Sequence, residues 1–219
     1  MTGREFKDLV FDQFAKIAGA FSSPKRLELI DVLAQGEREV GSLSQQVGMT
    51  VANTSRHLQI LKSARLVKTR REGVRIFYRL ADDGVVRWWH DLQDLGEKRV
   101  AEITEIVRRF LEQGDTLKPT SMEELWERIQ TRQVTVIDVR PPEEYRQGHI
   151  PGAISVPLTD IRSRLDSIPR DRQAVAYCRG PYCVLSLQAI QILRGAGFKV
   201  TRMREGIPEW KQAGFPVET

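Results

Sequence analysis

The stretch MTVANTSRHLQILKSARLVKTRREGVRIFYRL, residues 49–80, decides the fold of the first half of this chain. Thr50 is placed to cap a helix over Val51–Ala64, whose inward positions include Thr54, Leu58 and Leu61. The next residues, Leu66–Leu80, read as two strands around a turn at Glu72-Gly73. No acidic residue occurs between Glu39 and Glu72, while Arg56, Lys62, Arg65, Lys68, Arg70, Arg71, Arg75 and Arg79 accumulate over this region. A basic run is often only a solvated face. Here it coincides with one helix and one hairpin, which gives the charge an address.

Outward from this stretch, Phe6, Leu9, Val10, Phe14, Ile17 and Phe21 recur at helical spacing, predicting an amphipathic helix over residues 5–21. Ser22-Ser23-Pro24 supplies a cap and a first-turn proline for a second helix, with Leu27, Ile30 and Leu33 inward and Gly36 ending it. A short helix over Ser42–Val47 stops at Gly48. Residues 83–113 predict one long helix with an apolar stripe from Val85 to Phe110, too long for this small domain to cover, which calls for a partner helix from a second copy. Two short helices joined at Gly48 and followed by a basic hairpin make a winged helix-turn-helix. Its second helix presents Thr50, Asn53, Ser55, Arg56, His57 and Gln59 to a major groove, and Arg70, Arg71 and Arg75 sit on the wing. The expected partner is a double-stranded DNA operator.

The segment 49–80 resembles the recognition helix and wing of ArsR/SmtB-type repressors, and Ser22–Leu33 resembles that family's opening helix; the likeness spans roughly residues 5–112. It implies a homodimer, built on the first and last helices, that releases DNA when its inducer binds. Some members carry Cys-Val-Cys where this chain has Glu39-Val40-Gly41, and the last helix holds a single histidine, His90. A soft-metal site needs several converging thiolates or imidazoles. Neither a metal site nor a cofactor is therefore expected.

With 219 residues the chain fits two domains of about 100–150 residues each. We expect a DNA-binding and dimerisation domain over 1–113, a linker at 114–120 and a second domain over 121–219. The net charge of +5 divides almost evenly, with 19 Lys and Arg against 17 Asp and Glu through residue 115, and 15 against 12 beyond it. The N-terminus lacks an apolar signal region, and no apolar run approaches the ~20 residues of a membrane span. Both features lead to an expectation of a cytoplasmic protein without membrane contact. Two cysteines cannot staple a fold of this size and point to thiol chemistry.

In the second half, apolar runs at Val134–Val139, Ile154–Val156, Ala174–Tyr177 and Lys199–Met203 alternate with helical stretches at Leu158–Ile168 and Val184–Gly195. That alternation predicts an α/β domain with a mainly parallel sheet. Both cysteines fall in Tyr177-Cys178-Arg179-Gly180-Pro181-Tyr182-Cys183-Val184, where a buried strand ends and a helix begins. Loop amides and a helix N-terminus favour a thiolate there, and Arg179 adds a positive charge.

Val136–Arg140, Glu143-Glu144-Tyr145, Gly148–Ala153, the loop from Tyr177 and the ending Glu205–Val217 together resemble a rhodanese domain over residues 121–219. The resemblance implies that Cys178 is the sulfur-accepting nucleophile, that Asp138 and His149 hold the fold, and that Arg140 shapes the field of the site. A phosphatase or arsenate reductase of the related type needs an arginine six positions after the cysteine, where this chain has Val184. Pro181 removes one N–H from the cradle, and Cys183 adds a resolving thiol. The expected function is a repressor that senses sulfane sulfur from a persulfide, polysulfide or thiosulfate at Cys178, with Cys183 bridging. Its rivals are a working sulfurtransferase tethered to a DNA reader, and an inert rhodanese module beside an unknown inducer.

Overall fold

A computed structural model of the chain describes residues 1–112 and 119–219. Residue 113 of the expected long helix and residues 114–118 of the expected linker lie outside the described residues. The chain divides into two compact units, Met1–Leu95 and Gly96–Thr219.

In the first unit, helix α1 (Gly3–Phe21) opens with a capping box in which the Thr2 hydroxyl accepts from Glu5 N–H and the Glu5 carboxylate accepts from Thr2 N–H. Phe6, Leu9, Phe14 and Ile17 remain exposed along it, whereas Phe21 is buried and stacks on Trp88 with ring centroids 3.5 Å apart. Helix α2 (Pro24–Ala34) starts with proline, whose missing N–H is no loss in a first turn, and buries Leu29, Ile30, Val32 and Leu33. A short strand β1 (Arg38–Glu39) leads into α3 (Val40–Gln46) and α4 (Val51–Ser63). Gly48, at φ +62°, makes the turn between these helices in a conformation costly for any residue with a Cβ.

The expected inward face of α4 is as built, with Thr54, Leu58 and Leu61 fully buried. Strands β2 (Val67–Glu72) and β3 (Arg75–Leu80) form the wing, and β1 pairs with β3 to complete a three-stranded antiparallel sheet in the order β1-β3-β2. Glu72 pairs with Arg75, so the turn residues are Gly73-Val74, one position later than the sequence pattern predicts; Gly73 takes φ +59°.

Helix α5 (Asp83–Arg99) does not continue to residue 113 as expected. Val100 turns extended (φ −117°, ψ 93°) and α6 (Ala101–Val107) follows, then a π-helical turn over Arg108–Glu112. Gly96 lies close to the break: the Ile103 side chain is 3.0 Å from where a Cβ on Gly96 would sit, so a larger residue at position 96 would crowd it. An apolar period gives no sign of such a break.

The second unit continues with α7 (Met122–Gln130), capped by the Ser121 hydroxyl. Then come β4 (Val134–Asp138), α8 (Pro142–Tyr145), β5 (Ile154–Ser155), β6 (Gln173–Cys178), α9 (Val184–Gly195), β7 (Val200–Gly206) and α10 (Ile207–Gln212). The four strands are parallel, in the order β5-β4-β6-β7. Side-chain alternation along the strands splits the core. Ile137, Ala174, Ala176 and Cys178 pack with Ala189, Ile190 and Leu193 of α9, while Val134, Val136, Val175 and Tyr177 pack with Leu125 and Trp210.

The stretch Leu158–Ile168, expected to be helical, is a chain of tight turns ending in a 3₁₀ turn at Leu165–Ser167. The hydroxyls of Ser163 and Ser167 donate to the carbonyls of Asp160 and Arg164, at 2.8 and 2.7 Å. Each supports a local turn that competes with α-helical continuation.

Candidate functional site

The winged unit presents its polar side chains unevenly. Thr50, exposed, caps α4 by accepting from Asn53 N–H at 3.3 Å, and Asn53 and Arg56 project as exposed side chains. Ser55 and His57 are half-buried, and Nδ1 of His57 is buried without a hydrogen-bond partner. Burial first, then the charges of Arg26 and Arg56, hold the His57 pKa below its ordinary value, so it is neutral at pH 7. The amide of Gln59 donates to the Tyr78 hydroxyl at 3.2 Å, tying the helix to the wing.

The wing arginines already have partners. Arg70 pairs with Glu37 at 2.7 Å and Glu72 at 2.8 Å and stacks over Phe77, Arg71 donates to the Gly73 carbonyl, and Arg75 lies 4.0 Å from Glu39. Strand β1 accounts for this. It carries Glu39 to the sheet edge with Glu37 just before it, so the stretch without acids in sequence has acids beside it in space. A β-pairing of only two residues leaves no readable signal, and Glu37 and Glu39 were missed for that reason.

In the second unit β6 delivers Cys178, 2% exposed, to the end of the sheet, and Cys183 occupies the N-cap position of α9. The two are joined by a disulfide with Cα atoms 6.2 Å apart. Inside the loop Cys183 N–H donates to the Gly180 carbonyl at 3.1 Å. The Arg179 guanidinium donates to the Glu144 carboxylate at 2.6 Å, and Glu144 is fully buried. The positive charge expected to serve the thiolate is therefore matched by a carboxylate 35 residues earlier in the chain.

A glycine on β7 lies beneath the loop. A Cβ on Gly206 would sit 2.2 Å from the Arg179 carbonyl oxygen and 2.8 Å from Gly180 N, closer than any side chain tolerates. Gly206 N–H in turn donates to Glu209 at 2.8 Å. Beside it, burial raises the Glu205 pKa, and its Oε2 is buried without a partner. Glu144 and Gly206 belong to segments already notable in sequence, but only the fold shows that they grip the cysteine loop.

The remaining motif residues bond among themselves and to nearby backbone. Asp138 accepts from Tyr177 Oη at 2.6 Å and pairs with Arg140 at 2.6 Å, and Arg140 also donates to the Gly148 carbonyl. All the charge here is internally compensated. His149 stacks on Tyr145 with centroids 3.7 Å apart, and its Nδ1 lies 3.0 Å from the Tyr145 carbonyl. Among the described residues no group of three or more His, Cys, Asp or Glu side chains could hold a metal ion, and no helix is long and apolar enough to cross a membrane.

A winged helix-turn-helix joined to a parallel-sheet domain with cysteines at a strand end defines a DNA-binding regulator carrying a rhodanese-like module. The model of bacterial regulatory proteins of the arsR family matches residues 23–69, and that of the rhodanese-like domain matches residues 121–213. The HTH-type transcriptional regulator Rv0324 of Mycobacterium tuberculosis is 41% identical over 212 residues, covering 97% of this chain and 93% of the relative. A sulfurtransferase of Allochromatium vinosum is 39% identical over 88 residues, covering 40% of this chain and 80% of that protein. The homodimeric winged helix-turn-helix domain of Mb0332 from Mycobacterium bovis is 37% identical, covers 46% of this chain and 91% of that one, and has a TM-score of 0.42. The chain belongs to the ArsR family of transcriptional regulators, in the form that carries a C-terminal rhodanese-like domain.

Proposed function

We propose that this regulator is a cytoplasmic homodimeric repressor whose rhodanese-like domain senses sulfane sulfur, with Cys178 and Cys183 as the sensing pair. The observation that carries this reading is the pair itself. Two cysteines five residues apart bridge a loop held between a strand end and a helix start. The Cys178 thiolate attacks the terminal sulfur of a persulfide R–S–SH, forming Cys178–S–SH and releasing R–S⁻. The Cys183 thiolate then attacks Sγ of Cys178, the new Sγ–Sγ bond forms and hydrosulfide leaves. The two thiols lose two electrons, and the sulfane sulfur takes them. Arg179, anchored on Glu144, fixes the loop backbone around the reacting sulfur.

Operator contacts fall to Thr50, Asn53, Ser55, Arg56, His57 and Gln59 on the recognition helix and to Arg70, Arg71 and Arg75 on the wing. The exposed apolar residues of α1, together with Ile106 and Phe110, supply the dimer surface. A second reading, turnover as a sulfurtransferase at Cys178, is favoured by the likeness to the Allochromatium vinosum protein.

The test is operator binding by wild type, Cys178→Ser and Cys183→Ser, with and without inorganic polysulfide. Wild type is expected to change affinity and Cys178→Ser to stay fixed. Equal responses of wild type and Cys178→Ser would defeat the sensing reading, and steady thiosulfate:cyanide turnover with no change in affinity would establish the second.

A further inference from the structure

Between the two cysteines, Tyr182 makes a contact far along the chain. Its hydroxyl donates to Glu97 Oε1 at 2.9 Å, 85 residues away in sequence. The same Glu97 oxygen accepts from the Arg204 guanidinium. Arg204 lies on β7 two residues before Gly206, the glycine against which Arg179 and Gly180 rest. One carboxylate thus receives hydrogen bonds from the cysteine loop and from the strand that beds it, all within the Gly96–Thr219 unit.

Glu97 is placed to make that contact consequential. It stands in the last turn of α5, next to Gly96, where Ile103 fills the space of a missing Cβ, and three residues before the break at Val100. Its side chain is 28% exposed. Burial opposes its charge, yet the hydrogen bonds from Arg204 and Tyr182 prevail and hold its carboxyl below the ordinary range. Helix α5 is a single element that begins at Asp83, so what happens at its last turn bears on a helix shared with the winged unit. Hydrogen bonds to a charged group are worth more than neutral ones, so making or losing one at Glu97 can bias an equilibrium between two states.

We infer that Glu97 is the receiver of the sensing signal: the Cys178–Cys183 bridge fixes Tyr182 on Glu97 and so sets the end of α5, and loss of the bridge releases it. This rests on the sensing reading above and supplies its missing link from loop to DNA-binding unit. The structure holds the bridge and the Tyr182–Glu97 hydrogen bond together, and the loop that carries Tyr182 spans only the residues between the bridged cysteines. Opening the bridge removes the cross-link that ties the two ends of that loop together, so the backbone between them gains conformational freedom.

The experiment uses the full-length protein and a DNA fragment that the wild type selects from a random pool. The bridged form is made with inorganic polysulfide and the open form with a phosphine reductant, and thiol counting verifies each. The quantity read is the ratio of operator Kd between the two forms for wild type, Tyr182→Phe and Glu97→Gln. We expect the ratio to move toward unity by about three- to tenfold in both variants while the bridge still forms. A merely structural role would weaken both forms together and leave the ratio unchanged. Glu97→Gln leaves the loop sequence intact, so it decides the matter even where Tyr182→Phe alters bridging. Wild-type ratios in a bridged Glu97→Gln protein would overturn the inference and leave the sensing reading standing. A wild-type ratio of one would overturn the sensing reading first and the inference with it.

Discussion

The DNA-reading surface and the cysteine loop are built in opposite ways. On the recognition helix and wing most of the key groups are exposed side chains, with Ser55 and His57 half-buried, and Arg70 forms solvated ion pairs with Glu37 and Glu72. At the loop the key groups are backbone and buried: Cys178 at the end of a core strand, Glu144 with no exposure, and Gly206 defined by the atom it lacks. A reader of DNA must offer charge that exchanges partners when phosphates arrive, so its pairs are weak and solvated. A cradle for one reactive sulfur must be fixed before the reaction, so its supports are dry and unforgiving.

That contrast predicts a hierarchy of damage. Glu144→Ala leaves the Arg179 guanidinium without its carboxylate in a largely buried setting, and should destabilise the second unit by about 3 kcal/mol in chemical denaturation, with the winged unit unaffected. Gly206→Ala should cost about 1–3 kcal/mol by pushing its Cβ into the Arg179 carbonyl, and should slow bridge formation, read by thiol trapping. Equal stability of wild type and Gly206→Ala would show that the loop is looser than its bed implies.

On the other surface, Arg56→Ala should leave thermal stability unchanged, weaken operator binding about tenfold and lower the salt slope by roughly one. A fall in stability instead would mean that the two regions are built alike after all.

The smallest effect concerns Glu205. Its pKa is raised in the fold by burial, so the native state holds that proton more tightly than the unfolded chain does. Stability is thus fully retained below the unfolded value of about 4.3 and reduced as pH rises through the native value. Glu205→Gln should therefore raise the melting temperature by about 2–4 °C at pH 7 and by nothing near pH 4.

The same contrast decides what could be read in advance. The recognition helix was legible because its information is periodic and local: Thr50 caps it, and Thr54, Leu58 and Leu61 are buried where the spacing puts them. The strands of the second unit were legible as short apolar runs, and Val184–Gly195 is helical over the full expected span. The residues that grip the cysteine loop were not, because Glu144 from α8 and Gly206 from β7 reach it across the fold and no spacing encodes that approach. Residues 158–168 misled for a related reason: an apolar period survives in a series of turns, and the serine back-bonds that favour turns do not disturb it. Gly96 hid the helix break, since a glycine mid-helix signals cost but not direction.

The central claim is that the state of the cysteine loop sets operator affinity. It is tested most directly by following operator affinity and the fraction of Cys178–Cys183 bridge in one sample as polysulfide is added to the full-length wild type. Kd is expected to shift in step with the bridged fraction and to return on reduction. Complete bridging with an unchanged Kd would contradict it.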